Sequence, residues 1–167
     1  MSEAKFVALD FGATSGRAIL GRITDRIELS ELTRFPNRMI SLMGTVHWDA
    51  LALFDEIKSG LKKAVSEGHH QLEGVGVDTW GVDFGLIGRN DTLLGNPVSY
   101  RDPRTDGVMD ELLDRMPRER IYEKTGTQFM PINSLYQLLH MVQSQSPLLD
   151  VAETLLFMPD LFHYFMT

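Results

Sequence analysis

A chain of 167 residues with 43% hydrophobic and 23% charged residues has an ordinary globular composition and can bury one core without staples. Its formal net charge of -7 argues against a nucleic-acid partner, which would call for a basic patch. The absence of cysteine excludes disulfides and thiolate metal sites. The N-terminus, Met1-Ser-Glu-Ala-Lys-Phe6, lacks the basic-then-apolar order of a secretion signal, and no apolar run approaches the ~20 residues of a bilayer span. The expectation is a cytoplasmic protein with neither nucleic acid nor membrane as partner.

Phe6 to Asp10 is a short apolar run ending in an acid and reads as a buried strand. Phe11-Gly-Ala-Thr-Ser-Gly16 is a turn cluster, and Arg17 to Ile23 reads as a second strand. Ile27 to Phe35 alternates as a third, so the chain opens as a three-stranded antiparallel meander. A helix follows Trp48-Asp49, with Leu53, Ile57, Leu61 and Ala64 on one face, Asp49 as N-cap and Gly68 as stop. Val75 to Asp78 reads as a strand. Val82 to Ile87 and Thr92 to Leu94 pair across Gly88–Asp91, and Val98 to Tyr100 offers one more strand. Beyond Pro103 the pattern is helical. Val108, Met109, Leu112, Leu113 and Met116 share a face; Arg118 to Lys124 is a shorter helix stopped near Gly126. Leu135, Leu138, Leu139 and Val142 form a third apolar stripe. Thr154 to Met158 fits either state, and a helix opens at Pro159. The sequence stops inside that last apolar pattern, without the polar cap of a natural domain end, so a truncated domain is the expectation.

The chemistry-bearing segment is Asp10-Phe-Gly-Ala-Thr-Ser-Gly-Arg17. It is no Walker loop, because no Gly-Lys-Ser/Thr follows. It is no dinucleotide fingerprint either, because strand leads to strand rather than to helix. A tight turn of this composition can converge backbone N–H groups on phosphate oxygens, with hydroxyls as further donors. Gly12 and Gly16 would let the backbone approach closely. Asp10 could hold a Mg²⁺-bound water, and Arg17 could offset charge on a transferring group. Such a turn is common without any ligand, so it gains weight only beside Asp78-Thr-Trp-Gly-Val-Asp-Phe84 and Tyr100-Arg-Asp-Pro-Arg-Thr105.

Together these runs resemble the FGGY carbohydrate kinases, sugar kinases built on an actin-like ATPase core. The Trp80–Phe84 and Tyr100–Thr105 runs, with Gln128–Leu138 and Phe157–Asp160, are similar to the branch that phosphorylates L-rhamnulose at O1. The resemblance implies an α/β fold: a ribonuclease H-like N-terminal domain with a mixed sheet and helices, here incomplete across residues 1–167, and no C-terminal domain. It implies ATP and Mg²⁺ as cofactors and L-rhamnulose as acceptor. Ala13, Thr14, Ser15, Gly16 and Arg17 match the ATP phosphate loop, Asp10 the acid near the metal, and Gly81 a sugar-contacting backbone position. Asp83 is the carboxylate expected to reach sugar hydroxyls, and Trp80 an apolar face for the sugar; core roles are the alternative for Trp80. Arg101, Asp102 and Arg104 form either a surface ion-pair cluster or a group ordering the acceptor pocket. The five histidines, 47, 69, 70, 140 and 163, lack ligand-like spacing. The family's general base is an Asp that lies downstream of the matched segment, so no catalytic residue is assigned within this chain. Fuculokinase, xylulokinase or a non-catalytic binding fragment are the other readings.

Overall fold

The computed structural model describes residues 3–167; Met1 and Ser2, at the head of the stretch read for a secretion signal, lie outside it. Strands β1 (Ala4–Phe11), β2 (Ser15–Ile23) and β3 (Ile27–Pro36) form the expected antiparallel meander. Helix α1 (Ala50–Ser66) then crosses over to β6 (Gly74–Asp78), which lies parallel to β1, giving the order β3-β2-β1-β6. Val7, Leu9 and Phe11 alternate onto the face that α1 covers, with Leu53, Ile57 and Ala64 packed on them. Asp49 caps α1, its side chain accepting from the Ala52 N–H at 3.1 Å. Gly68 stops the helix in the left-handed region at φ +90°. The sheet's opposite face, carrying Ile27 and Leu29, is open.

A second sheet has the order β8-β7-β9, with β7 (Phe84–Gly88) between β8 (Thr92–Leu93) and β9 (Thr154–Phe157). Strand β7 is buried on both faces. Phe84 and Leu86 pack with Met141 of helix α4 (Ser134–Gln143), while Ile87 joins Leu161 and Phe162 of α6 (Met158–Met166). Helices α2 (Val108–Leu113) and α3 (Arg118–Thr125) fall where the periodicity puts them, and Gly126 ends α3 at φ +62°. The short α5 (Leu148–Val151) precedes β9. Among the described residues no helix is long and apolar enough to cross a membrane.

Two expectations fail in whole or in part, and one element was missed, each for an identifiable reason. Residues 98–100 form no strand: only Val98 bridges to His47. There the Asp102 carboxylate accepts the Val46 N–H at 2.7 Å, a side chain standing where a strand neighbour's carbonyl would be. The stripe read for α4 is its buried face only in part, through Leu138, which packs beside Phe84, Leu86 and Met141. Val142 is 61% exposed and Leu135 38%, whereas Tyr136, Gln137 and Met141 are buried; a buried glutamine is invisible to hydrophobic periodicity. A hairpin, β4 (Met39–Leu42) with β5 (Thr45–Trp48), was not anticipated. Its two-residue loop puts Met43 and Gly44 at positive φ without the usual Asn-Gly signal.

Candidate functional site

The β1–β2 hairpin turn is held from below. Asn37 donates its backbone N–H to the Thr14 carbonyl at 3.0 Å and its Nδ2 to the Gly12 carbonyl at 2.8 Å. Two of the turn's acceptors thereby face the protein. Among the described residues no hydrogen bond engages the Ala13 or Thr14 N–H groups, which leaves donors at the turn apex for an anion. Beside the turn, Asp10, Gly12, Ser15, Arg17 and Arg34 line an open concavity of about 270 Å³.

Asp10 and Arg17 are cross-strand partners. The Asp10 Oδ2 accepts from both Nε and Nη2 of Arg17 at 2.8 Å, while its other oxygen carries no hydrogen bond among the described residues. One exposed carboxylate oxygen at a strand end, with phosphate oxygens supplied by a ligand, suits Mg²⁺ with its retained waters. No cluster of three metal-ligating side chains exists among the described residues, so the donor set fits a metal carried in with a phosphate rather than a protein cage.

Gly16 also serves the core. It is buried, and a Cβ there would run into the Phe35 ring and come within 3.0 Å of Phe11. Its bare backbone makes room for the protein's own core. Arg34 was not singled out in the sequence. A β-bulge in β3, between the pairs Ala18–Thr33 and Ile19–Glu31, skips Leu32. Glu31 and Arg34 consequently meet on one face as a two-point ion pair at 2.5 and 3.2 Å. Arg34 stands opposite Arg17 in register, so two guanidiniums border the concavity. The only sequence signal was an Arg where β3 alternation called for nothing in particular.

The parallel register sets the second half of the site. Asp10 of β1 is the partner of Asp78 in β6, so the loop that follows β6, residues 79–83, emerges at the same end of the sheet as the phosphate turn. Ligands commonly sit beyond the carboxyl ends of parallel strands. Gly81 is exposed with nothing near its Cβ position. With Val82, Phe129, Asn133, Ser134 and Tyr136 it lines a pocket of about 270 Å³.

Trp80 and Asp83 do not line that pocket. The Trp80 ring lies against that of Trp48, centroids 4.2 Å apart and planes tilted by 40°. The Asp83 side chain is 0% exposed, so it does not reach outward to a sugar in this arrangement. Its Oδ2 accepts from Trp48 Nε1 at 2.6 Å, Trp80 Nε1 at 3.0 Å and the Tyr100 N–H at 3.0 Å. Its Oδ1 accepts from Gln137 Nε2 at 2.8 Å. Asp102 is likewise buried, and Arg104 donates to Gln137 Oε1 at 2.6 Å, so these two belong to the interior scaffold and not to a surface ion-pair cluster.

Burial pushes the Asp83 carboxyl above the ordinary range, against the pull of its four donors. The folded chain holds that proton more tightly than the unfolded chain. Asp83 therefore favours folding most at low pH and loses that contribution as pH rises from the ordinary carboxylate value through its own raised one. Urea unfolding across that window should show Asp83→Asn losing this pH-dependent component; an unchanged pH slope would contradict it.

A family profile described as "FGGY family of carbohydrate kinases, N-terminal domain" matches residues 5–167. Among curated proteins, the chain is 44% identical over 161 residues to a rhamnulokinase of Halalkalibacterium halodurans, covering 96% of this chain and 34% of that protein. It is 44% identical over 166 residues to a rhamnulokinase of Bacteroides thetaiotaomicron, covering 99% and 34%. The chain thus spans about a third of the length of the curated relatives it matches. Its fold is similar to that of a gluconate kinase from Lactobacillus acidophilus, with a TM-score of 0.80 at 18% identity over 94% of this chain and 32% of that one. A xylulose kinase from Rhodospirillum rubrum gives 0.80 at 19% identity over 96% and 34%. At such identities the likeness establishes the fold alone.

Proposed function

The chain belongs to the FGGY family of carbohydrate kinases, and from that membership we propose that it is the N-terminal segment of an ATP-dependent kinase acting on O1 of L-rhamnulose in the cytoplasm. The observation that carries the reading is the Asp10–Asp78 register, which sets a phosphate-type turn and a Gly81-lined pocket at one end of one sheet. Identity of 44% to two rhamnulokinases supports the choice of sugar.

In this reading the sugar O1–H bond and the ATP Pβ–O–Pγ linkage break as the O1–Pγ bond forms. ADP leaves, and the O1 proton passes to a general base, the Asp that the family resemblance places downstream of the matched segment. Ala13, Thr14 and Ser15 donate to phosphate oxygens, and Gly16 shapes the turn from beneath. Arg17 and Arg34 offset charge on the phosphates. Asp10 would hold Mg²⁺ through a bound water, and the metal would neutralise charge on the phosphates. The Gly81 backbone borders the acceptor, with Trp80 and Asp83 acting from behind it.

Comparing L-rhamnulose, L-fuculose and D-xylulose as acceptors in the full-length protein tests the reading. L-rhamnulose should give the highest kcat/KM; a higher value for either competitor would assign the chain to another branch of the family. Arg34→Ala should weaken binding of ATP about tenfold, the loss of one charge-assisted hydrogen bond, with little change in sugar KM. Calorimetric titration with an ATP analogue checks this, and unaltered affinity would remove Arg34 from the site.

A further inference from the structure

We propose that Asp83 is the positioning residue of the acceptor pocket: it gathers N–H groups from four separate segments and so fixes the Gly81–Val82 rim. The proposal rests on the reading that this pocket receives the sugar. Asp83 closes the 79–83 loop, and its own carbonyl accepts the Met158 N–H at 3.1 Å. Its carboxylate ties β5 through Trp48, the loop through Trp80, the 96–102 segment through Tyr100, and α4 through Gln137. Gln137 Nε2 also donates to the Val82 carbonyl at 3.2 Å and the Ile132 carbonyl at 3.0 Å. Ser134 Oγ donates to the same Val82 carbonyl at 2.6 Å. The Val82 carbonyl on the rim is thereby held by two donors from α4, next to the Asp83 anchor.

The orientation of Gln137 follows from chemistry alone. An ionised carboxylate only accepts and a guanidinium only donates. Asp83 on one side and Arg104 on the other therefore admit a single setting of the amide, Nε2 toward Asp83 and Oε1 toward Arg104. That setting is the one in which Nε2 also reaches Val82. Reversing the polarity at position 83 should accordingly disturb the rim without emptying any volume.

The substitution that does so is Asp83→Asn. The oxygen of the new amide can still take the three donors now on Oδ2, but its NH₂ then faces the Gln137 NH₂. A change that restores the 83–137 pair alone exists: with Gln137→Glu, one carboxylate oxygen accepts from the amide introduced at position 83 and the other from Arg104, although the donations to the Val82 and Ile132 carbonyls are lost. In the full-length protein, D83N should raise sugar KM by about tenfold or more, a displacement effect, while ATP KM stays within about twofold. The double variant D83N/Q137E should do better than the two single changes combined, because the 83–137 pair is restored, and Q137E alone, with two carboxylates facing each other, should be the worst of the three. The chain's only two tryptophans both donate to Asp83, so this segment's emission should shift in D83N and return toward the parental spectrum in the double variant. Sugar KM unchanged in D83N, or a double variant no better than the single changes combined, would overturn the proposal. If D83N yields no soluble protein, a folded D83N/Q137E with a sugar KM closer to the parental value than that of Q137E carries it, and a double variant no better than Q137E sinks it. A parental protein without activity on L-rhamnulose would count against the functional reading instead. The emission shift and its recovery would then still decide the role of Asp83.

Discussion

Replacing Asp10 by Ala in the full-length protein is expected to lower kcat at least a hundredfold, with folding stability changed by no more than about 1 kcal/mol. The two halves of this expectation have separate origins. The Asp10–Arg17 pair is 2.8 Å long, but its side chains are 39% and 43% exposed. Solvent screening leaves such a pair little net stabilising value. Chemistry is more demanding. Without the carboxylate no group on β1 remains to order a metal-bound water, and Arg17 loses the partner that orients its guanidinium toward the concavity. Steady-state kinetics with Mg-ATP, alongside a urea melt, checks both halves. Normal turnover would remove Asp10 from the metal site, and a large stability loss would make it a structural residue.

Gly16→Ala should show the opposite profile, destabilising the chain by about 1–3 kcal/mol through overpacking. The added methyl overlaps the Phe35 ring and approaches Phe11. Neither ring can move alone. Phe11 and Phe35 meet edge to face at 5.4 Å, Phe11 meets Phe162 in the same way at 5.2 Å, and Phe11 and Phe35 are both buried. Relief must therefore come from β2, which displaces the phosphate turn as well. Urea denaturation measures the first effect, and weaker ATP binding in the surviving folded fraction measures the second. Wild-type stability in G16A would mean that the cluster yields more easily than its packing indicates.

Much of the frame was legible in the sequence because its elements obey local rules. The meander, α1 with its Asp49 cap and the β7–β8 hairpin follow from alternation, helical periodicity and turn chemistry. The site was legible where it is a contiguous run, as in Asp10–Arg17. What escaped depends on contacts distant along the chain. Arg34 comes to the concavity through a bulge that alternation does not announce. Gln137 is buried because Asp83, 54 residues away, needs a donor. Asp83 itself, a carboxylate in a sugar-kinase run, invited the role of sugar ligand. Its carboxylate is instead buried and accepts from both tryptophans.

The central claim is that this chain carries phosphate and sugar contacts of a kinase but not its base. Its most direct test is sugar-dependent ADP release by the 167-residue chain alone, compared with the same chain fused to the remaining two-thirds of the Bacteroides thetaiotaomicron rhamnulokinase. The account predicts no release above a buffer control for the chain alone and L-rhamnulose-dependent turnover for the fusion. Turnover by the chain alone, or a fusion that folds, binds ATP and stays inert with L-rhamnulose, would contradict it.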